Sequence, residues 1–183
     1  MMLRIGAQSP RVLGGMRLTL TRRGAPGMLR FSVLKDRALD FHEGDRVEIP
    51  GVFLGYVFEK SRTGDGVIDV TAYDQLRYLK NRDTYAYTGL TATALIRKIA
   101  KDTGLSCGDL AETGFPVTRI EQDKPLFDII ERALDLTRTA TGGVFTLRDE
   151  MGALTLRAPE RVEYRLDAHA VTSVDYTSSI YED

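Results

Sequence analysis

Cysteine occurs once in the 183 residues, tryptophan not at all and histidine twice. The lone Cys107 excludes an internal disulfide, and its neighbours Gly108 and Asp109 supply no metal-ligand spacing. A chain without disulfides suits a reducing compartment, so synthesis in the cytoplasm is expected. His42 and His169 lie far apart, and neither has Cys, Asp or Glu at a spacing that would build a zinc face. His42 with Glu43 and Asp45 reads as a solvated charged loop. No apolar run approaches the roughly 18 residues of a membrane span. The N-terminus MMLRIGAQSP lacks the apolar core of a secretory signal. An excess of either charge is also missing, with 25 Lys and Arg against 26 Asp and Glu. A chain that grips phosphates usually carries a basic excess, so neither stable nucleic-acid binding nor a membrane is expected. Arg17, Arg22, Arg23 and Arg30 do cluster, but in or beside strand-like segments, and they read as a solvated strand face.

Catalytic signatures are equally scarce. There is no Gly-x-Ser-x-Gly elbow and no cysteine-histidine pairing. Gly64-Asp65-Gly66 and Gly142-Gly143 are too sparse for a phosphate loop. Asp149-Glu150 sits in an expected turn, where Asp serves local hydrogen bonding better than glycoside hydrolysis. The expectation is a non-enzyme without metal or cofactor.

What the chain does have is 43% hydrophobic residues, enough for a core, set in two successive patterns. Up to residue 72 the period is two. Met16, Leu18 and Leu20 alternate with Arg17, Thr19 and Thr21, and Leu29, Phe31 and Val33 with Arg30, Ser32 and Leu34. Arg23 to Gly27 is a turn, His42 to Asp45 a loop, and Pro50-Gly51 a break between strands Arg46–Ile49 and Val52–Glu59. Ser61 to Gly66 is a hairpin loop before the strand Val67–Ala72. Such spacing suggests a small barrel or sandwich.

From Tyr73 the pattern turns helical. Leu76 and Leu79 suit one or two turns, and Thr84–Thr88 is short and extended. Thr91 caps a helix with the stripe Leu95, Ile96, Ile99 and Ala100, which Gly104 ends. Gly108 to Arg119 is expected to be loop. Pro125 falls in the first turn of a second helix, with Asp123 as its cap. Leu126, Ile130, Ala133 and Leu134 form its apolar face, widened by Phe127 and Ile129, opposite Asp128, Glu131, Arg132 and Asp135. Val144–Arg148 and Leu154–Arg157 form a hairpin around Asp149 to Gly152, followed by strands Arg161–Leu166 and Val171–Tyr176. The fold class is therefore α+β: a small antiparallel β-barrel with a two-helix plus hairpin insertion and a C-terminal β return.

Tyr73, Tyr78, Tyr85 and Tyr87 fall within one short stretch and offer a stacking platform for sugars or bases. Packing or a protein interface is the stronger reading, because tyrosine is a good strand residue that buries its ring and keeps its hydroxyl wet. The residues expected at interfaces or in packing are these four with Ile96, Ile99, Phe127, Ile130 and Leu134.

Three phrases go further than composition. Tyr73-Asp74-Gln75-Leu76-Arg77-Tyr78-Leu79-Lys80-Asn81, Leu126-Phe127-Asp128-Ile129-Ile130 and Asp175-Tyr176-Thr177-Ser178-Ser179-Ile180 resemble the contractile-tail hub proteins of PBSX-like prophages. That resemblance implies a baseplate hub joining the tail tube to the spike, a homotrimer when full length, made in the bacterial cytoplasm and assembled into a tail particle. It implies residues 1–75 as a barrel domain completed by 154–183, and residues 76–153 as the helical insertion. In the resembled family a second barrel begins about where this chain ends, so a truncated or shortened member is expected. Two alternatives stay open. One is a non-catalytic cell-wall or carbohydrate-binding module, since Tyr85 to Leu147 reads β-α-α-β. The other is a wall hydrolase of a tail tip.

Overall fold

A computed structural model describes residues 2–62 and 66–159. The first half builds one antiparallel sheet from β1 (Arg4–Ile5), β2 (Val12–Thr19), β3 (Met28–Leu34), β4 (Arg46–Ile49), β5 (Phe53–Arg62) and β6 (Val67–Tyr73). The strands lie in the order β1-β4-β5-β6-β3-β2, curled as a half-barrel. Period-two alternation sends Leu29, Phe31 and Val33 of β3 and Ile68, Val70 and Ala72 of β6 to the inner face. Leu3, Ile5, Phe41, Val47 and Phe53 complete that core. Each such side chain removed from water contributes about 1.5–3 kcal/mol before entropy is counted.

Two details depart from the sequence reading. Leu20 does not join Met16 and Leu18 on the core face. It is 71% exposed, because β2 ends at Thr19 and the chain is already turning. β5 runs on to Arg62, and its register with β6 shifts between Val57 and Glu59. Phe58 keeps to the outer face beside Tyr56 by alternation, and the bulge turns Glu59 outward after it, opposite Thr71, as bulges re-aim side chains.

The second half begins with a short 3₁₀ helix, Gln75–Lys80, capped by Asp74, whose Oδ1 accepts the Leu76 N–H at 3.0 Å. β7 (Arg82–Thr91) follows, then α1 (Ala92–Thr103), β8 (Cys107–Leu110), β9 (Pro116–Pro125), α2 (Leu126–Thr141), β10 (Thr146–Glu150) and β11 (Ala153–Arg157). Thr91 caps α1 through the Ala94 N–H at 3.1 Å, and Gly104 ends it at φ 72°. The expected short strand at Thr84–Thr88 is the middle of the longer β7. The expected loop Gly108–Arg119 instead holds part of β8, which pairs in parallel with β11, and the start of β9, which pairs with β7. Asp123 does not cap α2. It has φ 44° and binds Arg82, while Pro125 takes the N-cap position with no side-chain cap, since β9 runs straight into the helix. The β10–β11 turn narrows to Met151 and Gly152, at φ 53° and 84°. Both values are positive, as a type I′ hairpin requires.

The second core lies between α1 and α2, the β7–β9 ribbon and the sheet β10-β11-β8. Leu95, Ile96 and Ile99 meet Leu126, Ile129 and Ile130 there, with Leu147, Leu154 and Leu156 from the hairpin and Leu76 and Leu79 from the 3₁₀ helix. The strands expected at Arg161–Leu166 and Val171–Tyr176 lie outside the described residues.

Candidate functional site: the outer aromatic ridge and the junction of the two cores

The fold divides the four tyrosines into two pairs. Tyr85 and Tyr87 alternate on the inner face of β7 and are buried in the second core. The Tyr85 hydroxyl donates to Asp102 at 3.0 Å, Lys98 donates to the same carboxylate at 3.1 Å, and the Lys98 ammonium lies 5.6 Å from the centre of the Tyr85 ring. Burial, then the bond to Asp102, pushes the Tyr85 phenol well above its ordinary range. The Tyr87 hydroxyl is buried with no hydrogen-bond partner. Ile96, Ile99, Phe127 and Ile130 are buried in the same core, and Leu134 packs against it partly exposed.

Tyr73 and Tyr78 face outward. Tyr73 is the register partner of Tyr56, so their side chains stand together on the outer face of the sheet. Phe58 meets Tyr73 edge to face, with centroids 5.4 Å apart and planes at 87°, and meets Tyr78 at 6.0 Å. Arg77 covers this group, its guanidinium 5.5 Å from the Phe58 centroid and 5.9 Å from that of Tyr73. Tyr78 is 39% exposed and borders a cleft of about 670 Å³ shared with Arg46, Tyr56, Gln75, Asn81 and Ser106.

Behind the ridge the two cores are joined. Asp74 is only 4% exposed and accepts the Gly27 N–H at 2.8 Å in addition to that of Leu76. A Cβ at Gly27 would lie 2.5 Å from Asp74 Oδ2, so this close approach needs glycine. Gln75 exchanges two bonds with the backbone of Ser106, donating at 3.4 Å and accepting at 3.2 Å. Asp149 accepts the Gly152 N–H at 2.8 Å through Oδ1, while its Oδ2 is buried without a partner. Burial, with the nearby Asp149 carboxylate, pushes the Asp74 carboxyl up to about 7, against the two backbone bonds that favour its ionised form. Burial raises Asp149 as well. On the other flank Arg23 reaches α2, at 3.3 Å from Glu131 and 2.9 Å from Asp135. Arg23 is thus not the solvated strand-face residue that its position in the sequence suggests.

The sequence offers Asp149 as a turn residue serving local hydrogen bonding, which its bond to the Gly152 N–H agrees with, but not its approach to a buried Asp74, nor the Gln75–Ser106 bonds, nor the Arg23 clamp. The break Tyr73-Asp74-Gln75 was visible, but nothing local says that Asp74 is buried. Among the described residues no group of three or more His, Cys, Asp or Glu is placed to hold a metal, and no helix is long and apolar enough to cross a membrane. The arrangement can hold a proton near neutral pH at Asp74, tie two cores together and present an aromatic ridge.

The YQBQ-like family matches residues 16–183. The phage-like element PBSX protein XkdQ of Bacillus subtilis (strain 168) is 37% identical over 136 residues, which covers 70% of this chain and 41% of that protein. The protein YqbQ of the same organism is 33% identical over 135 residues, covering 70% and 41%. The chain therefore spans about two-fifths of the length of these relatives. Among solved structures, the 43 kDa tail protein of prophage MuSo2 from Shewanella oneidensis superposes with a TM-score of 0.63 at 17% identity, covering 85% of this chain and 53% of that one. The tail protein from Neisseria meningitidis MC58 gives 0.55 at 16%, covering 85% and 49%. These likenesses show a shared fold, and the match along the sequence shows descent: the chain belongs to the YQBQ-like family.

Proposed function

We propose that the chain is a structural, non-catalytic part of a contractile phage-like tail, in the baseplate hub that joins the tail tube to the spike. The observation that carries this reading is the kinship with the PBSX protein XkdQ, on a fold shared with prophage tail proteins. The geometry supports it, since a buried polar centre at Asp74 joins the two cores and an aromatic ridge suited to protein contact faces outward. In this reading residues 1–75 supply a barrel, residues 76–153 decorate it together with β11, whose Leu154 and Leu156 lie in the second core, and the full-length protein closes a homotrimeric ring. A ring demands complementary surfaces on each chain and a rotation that closes. Deleting the gene in an inducible host tests the assignment. Particles should lack the spike or fail to assemble tubes, and complementation should restore them. Normal tails carrying tube and spike without the protein would refute it.

A second reading, a carbohydrate-binding module of a tail tip, has one observation in its favour: Tyr78 and Asn81 border an open cleft. Retention on peptidoglycan that Tyr78→Ala abolishes would favour it over the hub.

A further inference from the structure

The outer face of the first sheet carries a repulsion that folding alone does not require. Arg17 on β2 and Arg30 on β3 are direct register partners, both exposed and both on the outer face. Like charges directly opposite each other on a sheet are destabilising. One arginine on an edge strand is a common guard against unwanted pairing. Arg30, on the second strand, adds repulsion without adding to that guard.

The next row of the same face runs Thr19, Met28, Tyr73, Tyr56. Over it lies Arg77, stacked on Tyr73 and Phe58. Arg77 and Lys80 line one cleft of about 280 Å³ together with Thr19, Thr21 and Met28, and no carboxylate lines it. None of the four cations, Arg17, Arg30, Arg77 and Lys80, has a carboxylate within ion-pair distance among the described residues. The acidic residues of this face stand elsewhere on it. Asp69 of β6 takes the hydroxyl of Ser32, its register partner on β3, at 2.5 Å, and Glu48 of β4 takes Arg46 at 3.1 Å and stands opposite Arg4, with Glu59 on β5. The cations without a carboxylate partner are therefore gathered at the β2–β3 end, while the far strands carry charges of both signs. β2 is also the last strand of the sheet among the described residues.

We infer that this end of the sheet is a docking surface for an extended, acidic segment of a partner protein. The segment lies along β2 and places its carboxylates against Arg17, Arg30, Arg77 and Lys80. A stacked guanidinium keeps its donor edge free and presents it in a fixed plane, which suits a carboxylate. The outer edge of β2 offers backbone donors and acceptors to an added strand. A nucleic acid fits less well. Arg77 already covers the ring faces on which bases would stack, and the chain as a whole carries a net charge of −1. The inference stands apart from the hub assignment, because it rests on the face and not on the kinship.

Fluorescence anisotropy tests it, with three probes of equal length: a peptide alternating Glu and Thr, its Gln-for-Glu counterpart, and a single-stranded oligonucleotide. The chain is expected to bind the acidic peptide alone, more weakly as salt rises. Arg17→Gln with Arg30→Gln should weaken binding by about five- to tenfold, and Arg77→Gln by a similar amount. Arg97→Gln should not change it, since Arg97 pairs with Glu112 in the insertion at 2.8 Å. Arg17→Gln should melt at the parent's temperature or slightly above while losing affinity, because it relieves a repulsion. The proposal fails if the acidic peptide does not bind, if the oligonucleotide binds as tightly, or if the variants leave affinity unchanged. It also fails if Arg17→Gln lowers the melting temperature, which would make the arginine structural. Self-association abolished by the same variants would give the face to a second copy and overturn it too.

Discussion

Asp74 carries the sharpest consequence of burial at a single position. Its carboxyl, pushed up to about 7, keeps its proton in the folded chain at pH values where the unfolded chain, near 3.8, has already released it. The folded state thus binds the additional proton. Stability is full below the lower value, declines as pH rises, and levels off above about 7, a loss of the order of a few kcal/mol. Asp149→Asn keeps the oxygen that accepts the Gly152 N–H but removes the neighbouring charge that helps hold Asp74 neutral. Its urea midpoint should therefore fall less between pH 5 and pH 8 than the parent's, in round numbers for two buffers. Equal slopes would mean that the two carboxyls do not interact. The paired tyrosines give a second contrast. Tyr85→Phe removes a hydroxyl bonded to Asp102 and should cost about 1 kcal/mol. Tyr87→Phe removes a buried hydroxyl without a partner and should be neutral or stabilising. Melts that reverse this order would show that the Tyr87 hydroxyl has a partner after all.

Elements show where sequence was informative and where it was silent. β3, β6, α1 and α2 were legible because each repeats one chemistry at one period, apolar inward and polar outward. In α2, Ile130 is fully buried while Asp128 faces solvent. Ile130→Ala should cost about 2–5 kcal/mol, and Asp128→Ala less than about 0.5 kcal/mol, both read from urea melts. Glu131 does not belong with Asp128, because it binds Arg23, and Glu131→Ala should cost up to about 1 kcal/mol. β9 was illegible for the opposite reason. Its inward positions are Val117, Arg119 and Glu121, while Ile120, 68% exposed, points out. Glu121 is tolerated inside because Lys124 and Arg119 each hold it at 2.7 Å, which also keeps its carboxyl below the usual range. Alternation scored by hydrophobicity is inverted there, so the strand reads as loop. β8 is hidden differently: four residues containing a glycine become a strand only because β11, more than forty positions later, pairs with them. The candidate site followed the same rule. Tyrosine spacing was visible, but which tyrosines share a face depends on the register of β5 with β6, which sets Tyr56 beside Tyr73, and on the partners of β7.

Across the whole molecule the question is whether the two cores are one folding unit. Among the described residues the contacts that cross between them include Arg23 to α2, Asp74 to Gly27 beside Asp149, Phe58 of β5 to Arg77 and Tyr78 of the 3₁₀ helix, and Gly152 against Leu54. The Arg23 pairs are partly exposed and are worth at most about 1 kcal/mol each. Gln75 lies inside the second unit, where it is buried and ties the 3₁₀ helix that faces the first sheet to both backbone groups of Ser106. Gln75→Ala strands them and should cost about 1–3 kcal/mol. If these contacts make the cores cooperative, the cost falls on both at once. Both helices lie in the second core, so far-UV circular dichroism reports mainly on that half, while a tryptophan placed by Phe58→Trp reports on the first sheet. The parent background, which has no tryptophan, makes that signal unambiguous. Coincident urea transitions that shift together on Gln75→Ala are expected. Separated transitions, with Gln75→Ala moving only the dichroism, would show two units that merely touch. In that case the insertion would be free to reorient on the sheet, and the pH dependence of Asp74 would report docking and not folding.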